Sequence, residues 1–177
     1  MNKLEITVIS GRFNRSKRGW HSALSDDPQG RIYNLEKVKK DLITRYQNIF
    51  KPDFPYSPPP AYWSKYPWKK EMASYRYNVT GFGHFIVVNR IFDSKAVPLF
   101  VLEYLLFHEL IHSIIEQKVK VKKMNFNPYP DHGVHFRRLM EKYENYQPGK
   151  EWLEANWHVL IGPKRRATPK RLTMNSH

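Results

Sequence analysis

The segment LLFHELIHSIIEQ, residues 105–117, places two histidines and a glutamate in an otherwise apolar stretch. His108 and His112 are four residues apart, a spacing that puts both imidazoles on one face of a helix. Two neutral imidazoles placed in this way can share one zinc ion. The Glu109 carboxylate, next to the first of them, can then accept a proton from a zinc-bound water. This spacing is typical of the H-E-x-x-H metalloproteases.

The residues that flank these three polar groups predict a buried helix. Its apolar positions are Leu105, Leu106, Leu110, Ile111, Ile114 and Ile115. Histidine and glutamate without partners would be costly to bury in such surroundings, and a bound metal would offset that cost. The simpler alternative is a partly exposed helix face that carries these residues without any site.

A catalytic zinc site needs a third protein ligand and an open position for water. Lys118 stands where a metzincin would carry its third histidine, which excludes that class. Glu141 and Glu144 are candidates for a gluzincin-type site, although a solvated helix face explains them equally well. His132 and His135, in the segment DHGVHF, are the remaining candidates.

Hydrophobic periodicity predicts two further helices around this one, and a closing element whose type is left open. A helix is expected over residues 35–50, with Asn34 as its N-cap and an end before Pro52. The H-E-x-x-H helix itself is expected over residues 97–118. A second helix should begin near His132, with Phe136, Leu139, Met140 and Tyr143 on one face, and a short element should close the fold at residues 151–161.

Alternating and β-branched residues predict a small number of strands. Residues 4–9 form the first candidate, and a short strand is expected within AYWSKY, residues 61–66. Two further strands, residues 73–79 and 84–92, flank the turn TGFG. Strands and helices together predict an α+β domain.

Composition limits the kinds of protein that this chain can be. The 177 residues suffice for one domain, and the absence of cysteine excludes disulfides and thiolate metal sites. No signal peptide and no long apolar run are visible, so we expect a soluble intracellular protein. The net charge of +14 favours contact with a polyanion such as nucleic acid, although a basic surface without a specific partner has the same charge.

The order and spacing of HELIH and HGVHF resemble the SprT/Spartan family of zinc metalloproteases, over roughly residues 35–146. The resemblance implies a zincin-like α+β core with a small antiparallel sheet and a second helix that carries the third ligand. It also implies that His108, His112 and His132 bind Zn²⁺ and that Glu109 is the general base of peptide-bond hydrolysis. The cysteine zinc ribbon of many relatives is missing. Relatives that cleave DNA-bound proteins suggest the same substrates here.

The basic segments suggest where nucleic acid would bind. We divide the chain into a basic, partly mobile segment at residues 1–30, a SprT-like domain at residues 31–162 and a basic disordered tail at residues 163–177. Single-stranded or duplex DNA is the expected partner of the tail, beside a protein substrate. The tail residues proposed to contact it are Lys164, Arg165, Arg166, Lys170 and Arg171.

Aromatic residues interleaved with lysines could add stacking contacts to unpaired bases. These residues are Tyr62, Trp63, Tyr66 and Trp68, and packing in the protein core is the other interpretation. The competing interpretation of the whole chain is a non-enzymatic nucleic-acid-binding protein whose structural zinc has a fourth ligand such as His135. Tyr129 and His135 are candidates for stabilising the oxyanion. A cytoplasmic location is expected, or a nuclear one in a eukaryote.

Overall fold

The structure, a computed structural model, describes residues 24–25, 28–79, 83–121 and 132–162 as an α+β fold. The strand predicted at residues 4–9 and the tail at residues 163–177 lie outside this range. The described helices are α1 Leu35–Arg45, α2 Gln47–Phe50, α3 Leu99–Val121, α4 Val134–Met140 and α5 Tyr146–Leu160. The strands are β1 Ala61–Trp63, β2 Ala73–Val79 and β3 Gly83–Val88.

The helix predicted over residues 35–50 is present as two helices. Asn34 caps α1 as expected, because its side-chain oxygen accepts a hydrogen bond from the Lys37 amide at 2.9 Å. Tyr46 leaves the helical conformation and separates α1 from α2. Its ring packs edge-on against Phe107 with the centroids 5.1 Å apart, so the break coincides with a contact to α3 that sequence periodicity does not record.

The three strands form one sheet in the order β1-β3-β2. β1 is parallel to β3, and β2 is antiparallel to it, so β2 is at the edge of the sheet that the described strands form. The predicted strand at residues 73–79 is confirmed. The short strand expected within residues 61–66 is confirmed as β1, and the hydroxyl of the following Ser64 donates a hydrogen bond to the Tyr66 carbonyl at 2.7 Å.

The strand predicted over residues 84–92 was wrong in its last four residues. β3 ends at Val88, and Arg90–Phe92 form a turn of 3-10 helix. The cause is Asn89, which is fully buried and accepts hydrogen bonds from the amides of Ile91 and Trp68. Its amide group also donates to the Trp68 carbonyl, and these bonds replace the pairing that a longer strand would have made.

The long helix α3 packs against the sheet and against α1 and α5, and it is buried along most of its length. Its predicted range of 97–118 is close to the observed range. The helix was expected to end at residue 118, but it continues through Lys120 to Val121. Lysines in a last turn interact favourably with the negative end of the helix dipole, which makes this extension reasonable. No helix in the described part of the chain combines the length and apolar character that crossing a membrane requires.

The two C-terminal helices differ from their predicted bounds. α4 ends at Met140, so Tyr143 lies beyond it, although Tyr143 is buried and its hydroxyl donates to the Phe100 carbonyl at 3.0 Å. The closing element begins five residues before the predicted start, at Tyr146. Pro148 is compatible with a first helical turn, where its missing N–H is not needed.

Two residues from the segment before α1 take part in the packed structure. Leu24 is buried on the sheet face that carries Phe85 and Val87, and Tyr62 and Trp68 pack against the same cluster. The Ser25 amide donates to the Trp63 carbonyl at 2.9 Å. The outer edge of β1 is therefore partly covered by residues 24–25.

Candidate metal centre

Three imidazole nitrogens converge beside α3. The Nε2 atoms of His108 and His112 are 3.2 Å apart, and those of His108 and His132 are 3.1 Å apart. The ligand nitrogens of all three residues lie within 4.8 Å of one another. We call His108, His112 and His132 the histidine cluster.

The separations in the histidine cluster fit a metal site. Two nitrogens bound tetrahedrally to one zinc ion, each at about 2.05 Å, are about 3.3 Å apart. A hydrogen bond between two imidazoles needs one protonated and one unprotonated nitrogen. One such hydrogen bond can account for one close contact between imidazole nitrogens. The Nε2 atom of His108 makes two close contacts, one with His112 and one with His132. The cluster can therefore hold a metal ion, and its donors are of the type that zinc accepts.

Two separate parts of the chain bring the cluster together. His108 and His112 lie one turn apart on α3, as the spacing predicted. His132 is 24 residues beyond His108 and precedes α4. Phe136 and Met140, both buried, fix α4 to the core that α3 shares. The position of His132 thus depends on the packing of α4.

Burial keeps the imidazoles of α3 in the form that binds metals. It holds the pKa of His108 well below its usual range, and the neighbouring His112 and His132 lower it further. Burial, together with His132, lowers the pKa of His112 to about 3. Both side chains are therefore neutral near pH 7, and a neutral imidazole has the lone pair that a metal ion requires.

Glu109 is fully buried next to the cluster, and its two oxygens have different surroundings. Oε2 accepts a hydrogen bond from the Tyr75 amide of β2 at 2.6 Å. Oε1 is buried and has no hydrogen-bond partner among the described residues. Burial raises the pKa of Glu109 to about 8, although the Tyr75 amide and the Arg76 guanidinium oppose that rise. A buried oxygen without a partner is a group that a bound cation or water would satisfy.

The other candidates for the third ligand lie outside the cluster. His135, one residue into α4, is exposed, and Glu141 and Glu144 are exposed as well. Glu144 instead forms an ion pair with Arg45 at 3.0 Å. Among the described residues, His132 is thus the candidate that the fold brings to the two histidines of α3.

Two residues near the site were not singled out as part of it by sequence analysis. Tyr75 holds Glu109 through its backbone amide, which no side-chain pattern reveals. Phe136 contacts all three imidazoles, with ring centroids 4.5 to 4.8 Å away. Phe136 closes the motif HGVHF that begins with His132, and this was a usable signal in the sequence.

The structure describes some, but not all, of the residues proposed to contact nucleic acid. The tail residues from Lys164 to Arg171 and the oxyanion candidate Tyr129 lie outside the described residues. Trp63 is fully buried in the core, so for this residue the interpretation as core packing is confirmed and base stacking is excluded. Tyr62 and Trp68 are partly buried, whereas Tyr66 is 65% exposed and remains available for stacking.

Comparisons with known proteins find no similarity: no protein-family model, no curated protein and no solved structure matches this chain. The interpretation of the site therefore depends on its own chemistry. The groups that this chemistry can use are three imidazole nitrogens and one buried carboxylate.

Proposed function

We propose that this chain is a zinc-dependent, SprT/Spartan-like metallopeptidase with a zincin-like core. The observation that carries the proposal is the convergence of three histidine Nε2 atoms, together with Glu109, the residue after His108, whose buried Oε1 has no hydrogen-bond partner among the described residues. A purely structural zinc site is closed by four protein ligands, whereas a catalytic one has three and an open position. Within the described residues the cluster has three members.

His108, His112 and His132 would hold the zinc ion through their Nε2 atoms. When bound, zinc would supply a Lewis acid that brings the pKa of a coordinated water toward about 7 and polarises a carbonyl group. The low pKa values of His108 and His112 support this role, because protons do not compete for their nitrogens near neutrality.

Glu109 is the proposed general base. The Tyr75 amide holds its Oε2, which leaves Oε1 to take a proton from the attacking water and to return it to the leaving amine. A base must be held in position, and this hydrogen bond from β2 does so. Burial raises the pKa of Glu109, and a bound zinc cation would lower it again and so favour the carboxylate form that accepts a proton.

The outer edge of β2, which no other described strand pairs with, supports an extended peptide as the substrate. The outer edge of β1 is partly occupied, since Ala61 donates its amide to Glu36 at 2.7 Å and Trp63 accepts from Ser25. No described strand pairs with the outer edge of β2, where the Tyr75 amide reaches Glu109. A peptide that adds to this edge as a further strand would lie beside the carboxylate.

Nucleic acid is the second proposed partner. The net charge of +14 supports contact with phosphates, and exposed Tyr66 between lysines supports contact with bases. Proteins bound to DNA are therefore the proposed substrates, because the nucleic acid would bring them to the enzyme.

The test is a cleavage assay on a basic DNA-binding protein, with and without single-stranded or duplex DNA. We expect wild type to cleave it and Glu109→Gln to lose activity by about 100-fold or more while it still binds zinc. Glu144→Gln makes the same chemical change at an exposed carboxylate and should keep full activity. Full activity in Glu109→Gln would refute the mechanism. A wild type that binds zinc but cleaves nothing would favour the non-enzymatic nucleic-acid-binding protein.

A further inference from the structure

The ring of Phe136 is almost equally far from the three imidazole rings of the histidine cluster. Its ring centroid lies 4.8 Å from that of His108, 4.5 Å from that of His112 and 4.6 Å from that of His132. The three imidazole centroids are themselves 4.8 to 5.2 Å apart. The four rings therefore form one compact group in which each ring contacts the other three.

These separations place Phe136 on one side of the cluster. A point that is almost equally far from three others, at nearly their own mutual distance, lies off the plane that contains them. The side chain is buried, with 6% of its surface exposed, so this side of the imidazoles faces hydrocarbon and not water. A ligand to the metal would have to approach from another direction.

We infer that Phe136 is a positioning residue for the metal, an inference that depends on the proposed function. Its ring packs against the three imidazoles and restricts their rotation, so that their Nε2 atoms stay turned toward one point. It also keeps water away from one side of the site. The apolar surroundings of a metal site control solvent access in this way, and residues that orient the ligands affect affinity strongly.

The geometry separates this role from ordinary core packing. Phe50 is a suitable comparison, because it is a buried phenylalanine in the same core and packs edge-on against Phe107 at 5.4 Å. Both residues should lose a similar amount of buried surface when they are changed to leucine. If Phe136 served only the core, the two substitutions would have the same small effect on the metal.

The experiment measures zinc affinity of the full chain by competition with a chromogenic chelator, and records the visible absorption of the cobalt(II) form. We expect Phe136→Leu to raise the zinc dissociation constant about 10-fold or more. The cobalt bands should weaken, because water can then enter and raise the coordination number. Phe50→Leu should leave the zinc dissociation constant and the cobalt bands unchanged. Phe136→Tyr keeps the ring, so both should stay at their wild-type values.

Each outcome has a distinct meaning. Equal zinc affinity and equal cobalt spectra in wild type and Phe136→Leu would overturn the positioning role and leave the proposed metallopeptidase intact. A wild type that binds no zinc would overturn both. If circular dichroism shows that Phe136→Leu is unfolded, Phe136→Met, which also lacks the ring, is measured in its place and judged by the same criteria.

Discussion

Helix α3 carries three buried glutamates, and the surroundings of two of them, Glu103 and Glu109, differ sharply. Glu103 is 5% exposed and accepts hydrogen bonds from Arg45, at 3.0 Å, and from the Tyr143 hydroxyl, also at 3.0 Å. We call Arg45, Glu103 and Tyr143 the Glu103 network. Glu109 is more deeply buried, yet it has a described partner at one oxygen only.

The difference separates a part of α3 whose buried charge is satisfied by described partners from a part where a buried carboxylate oxygen is not. The Glu103 network satisfies its own charge and links α1, α3 and the segment after α4. The histidine cluster and Glu109 concentrate polar groups in a buried place without satisfying them all. Buried polar groups left in this state cost stability, and such sites are commonly functional.

The largest expected effect is the loss of metal binding in His132→Ala. The variant keeps only two of the three imidazoles, so its zinc dissociation constant should rise by more than about 100-fold. That is more than the loss caused by removing a residue that only orients a ligand. Equilibrium dialysis against zinc buffers measures it. His135→Ala is the matched control, because His135 lies three residues after His132, is exposed, and should leave the affinity unchanged. A large loss of zinc affinity in His135→Ala would mean that His135, and not His132, is the third ligand.

A smaller loss, of folding stability, is expected from Glu103→Gln. The substitution weakens the bonds to Arg45 and Tyr143, and it should lower the free energy of unfolding by about 2 kcal/mol. The Arg45 side chain is 41% exposed, so solvent screening keeps the loss below that of a fully buried ion pair. Urea denaturation with zinc removed measures it. An unchanged free energy would show that this network does not stabilise the fold.

Glu109→Gln should change the free energy of unfolding less than Glu103→Gln does. Glu109→Gln removes a carboxylate that burial disfavours, and the amide can still accept the Tyr75 hydrogen bond. We therefore expect the unfolding free energy of the metal-free protein to stay within about 1 kcal/mol of wild type. The comparison of the two glutamates would fail if Glu109→Gln destabilised the metal-free chain as much as Glu103→Gln.

The smallest effect is expected from Glu144→Gln. Glu144 also pairs with Arg45 at 3.0 Å, but its side chain is 59% exposed. An exposed ion pair contributes about 0.5 kcal/mol or less, and added salt should remove that contribution. Thermal unfolding at low and high salt tests this. A loss equal to that of Glu103→Gln would mean that burial does not distinguish the two carboxylates.

Much of the local structure was predictable from the sequence. The start of α1 at Asn34, the strand at residues 73–79 and most of α3 follow from capping residues and hydrophobic periodicity. The errors lie where distant contacts intervene. Asn89 ends β3 through hydrogen bonds to the segment around Trp68, and Tyr46 interrupts the first helix where it packs against Phe107.

Gly149, in α5, is another residue whose role depends on a contact distant in the sequence. It lies buried inside the helix, at a position where glycine normally weakens one. A Cβ there would come within 2.9 Å of the Tyr104 side chain, so the absence of a side chain allows α5 to approach α3 closely. Helix propensity alone favours ending the helix at such a residue, and the packing partner explains why it continues.

The sequence by itself determined that His108 and His112 share a face of α3 with Glu109 next to the first, because helical geometry relates residues four apart. The tertiary structure decided that His132, and not His135, completes the cluster, and that the Tyr75 amide holds Glu109. Those contacts join parts of the chain 24 and 34 residues apart. No local periodicity spans such separations, so they depend on how α4 and β2 pack against α3.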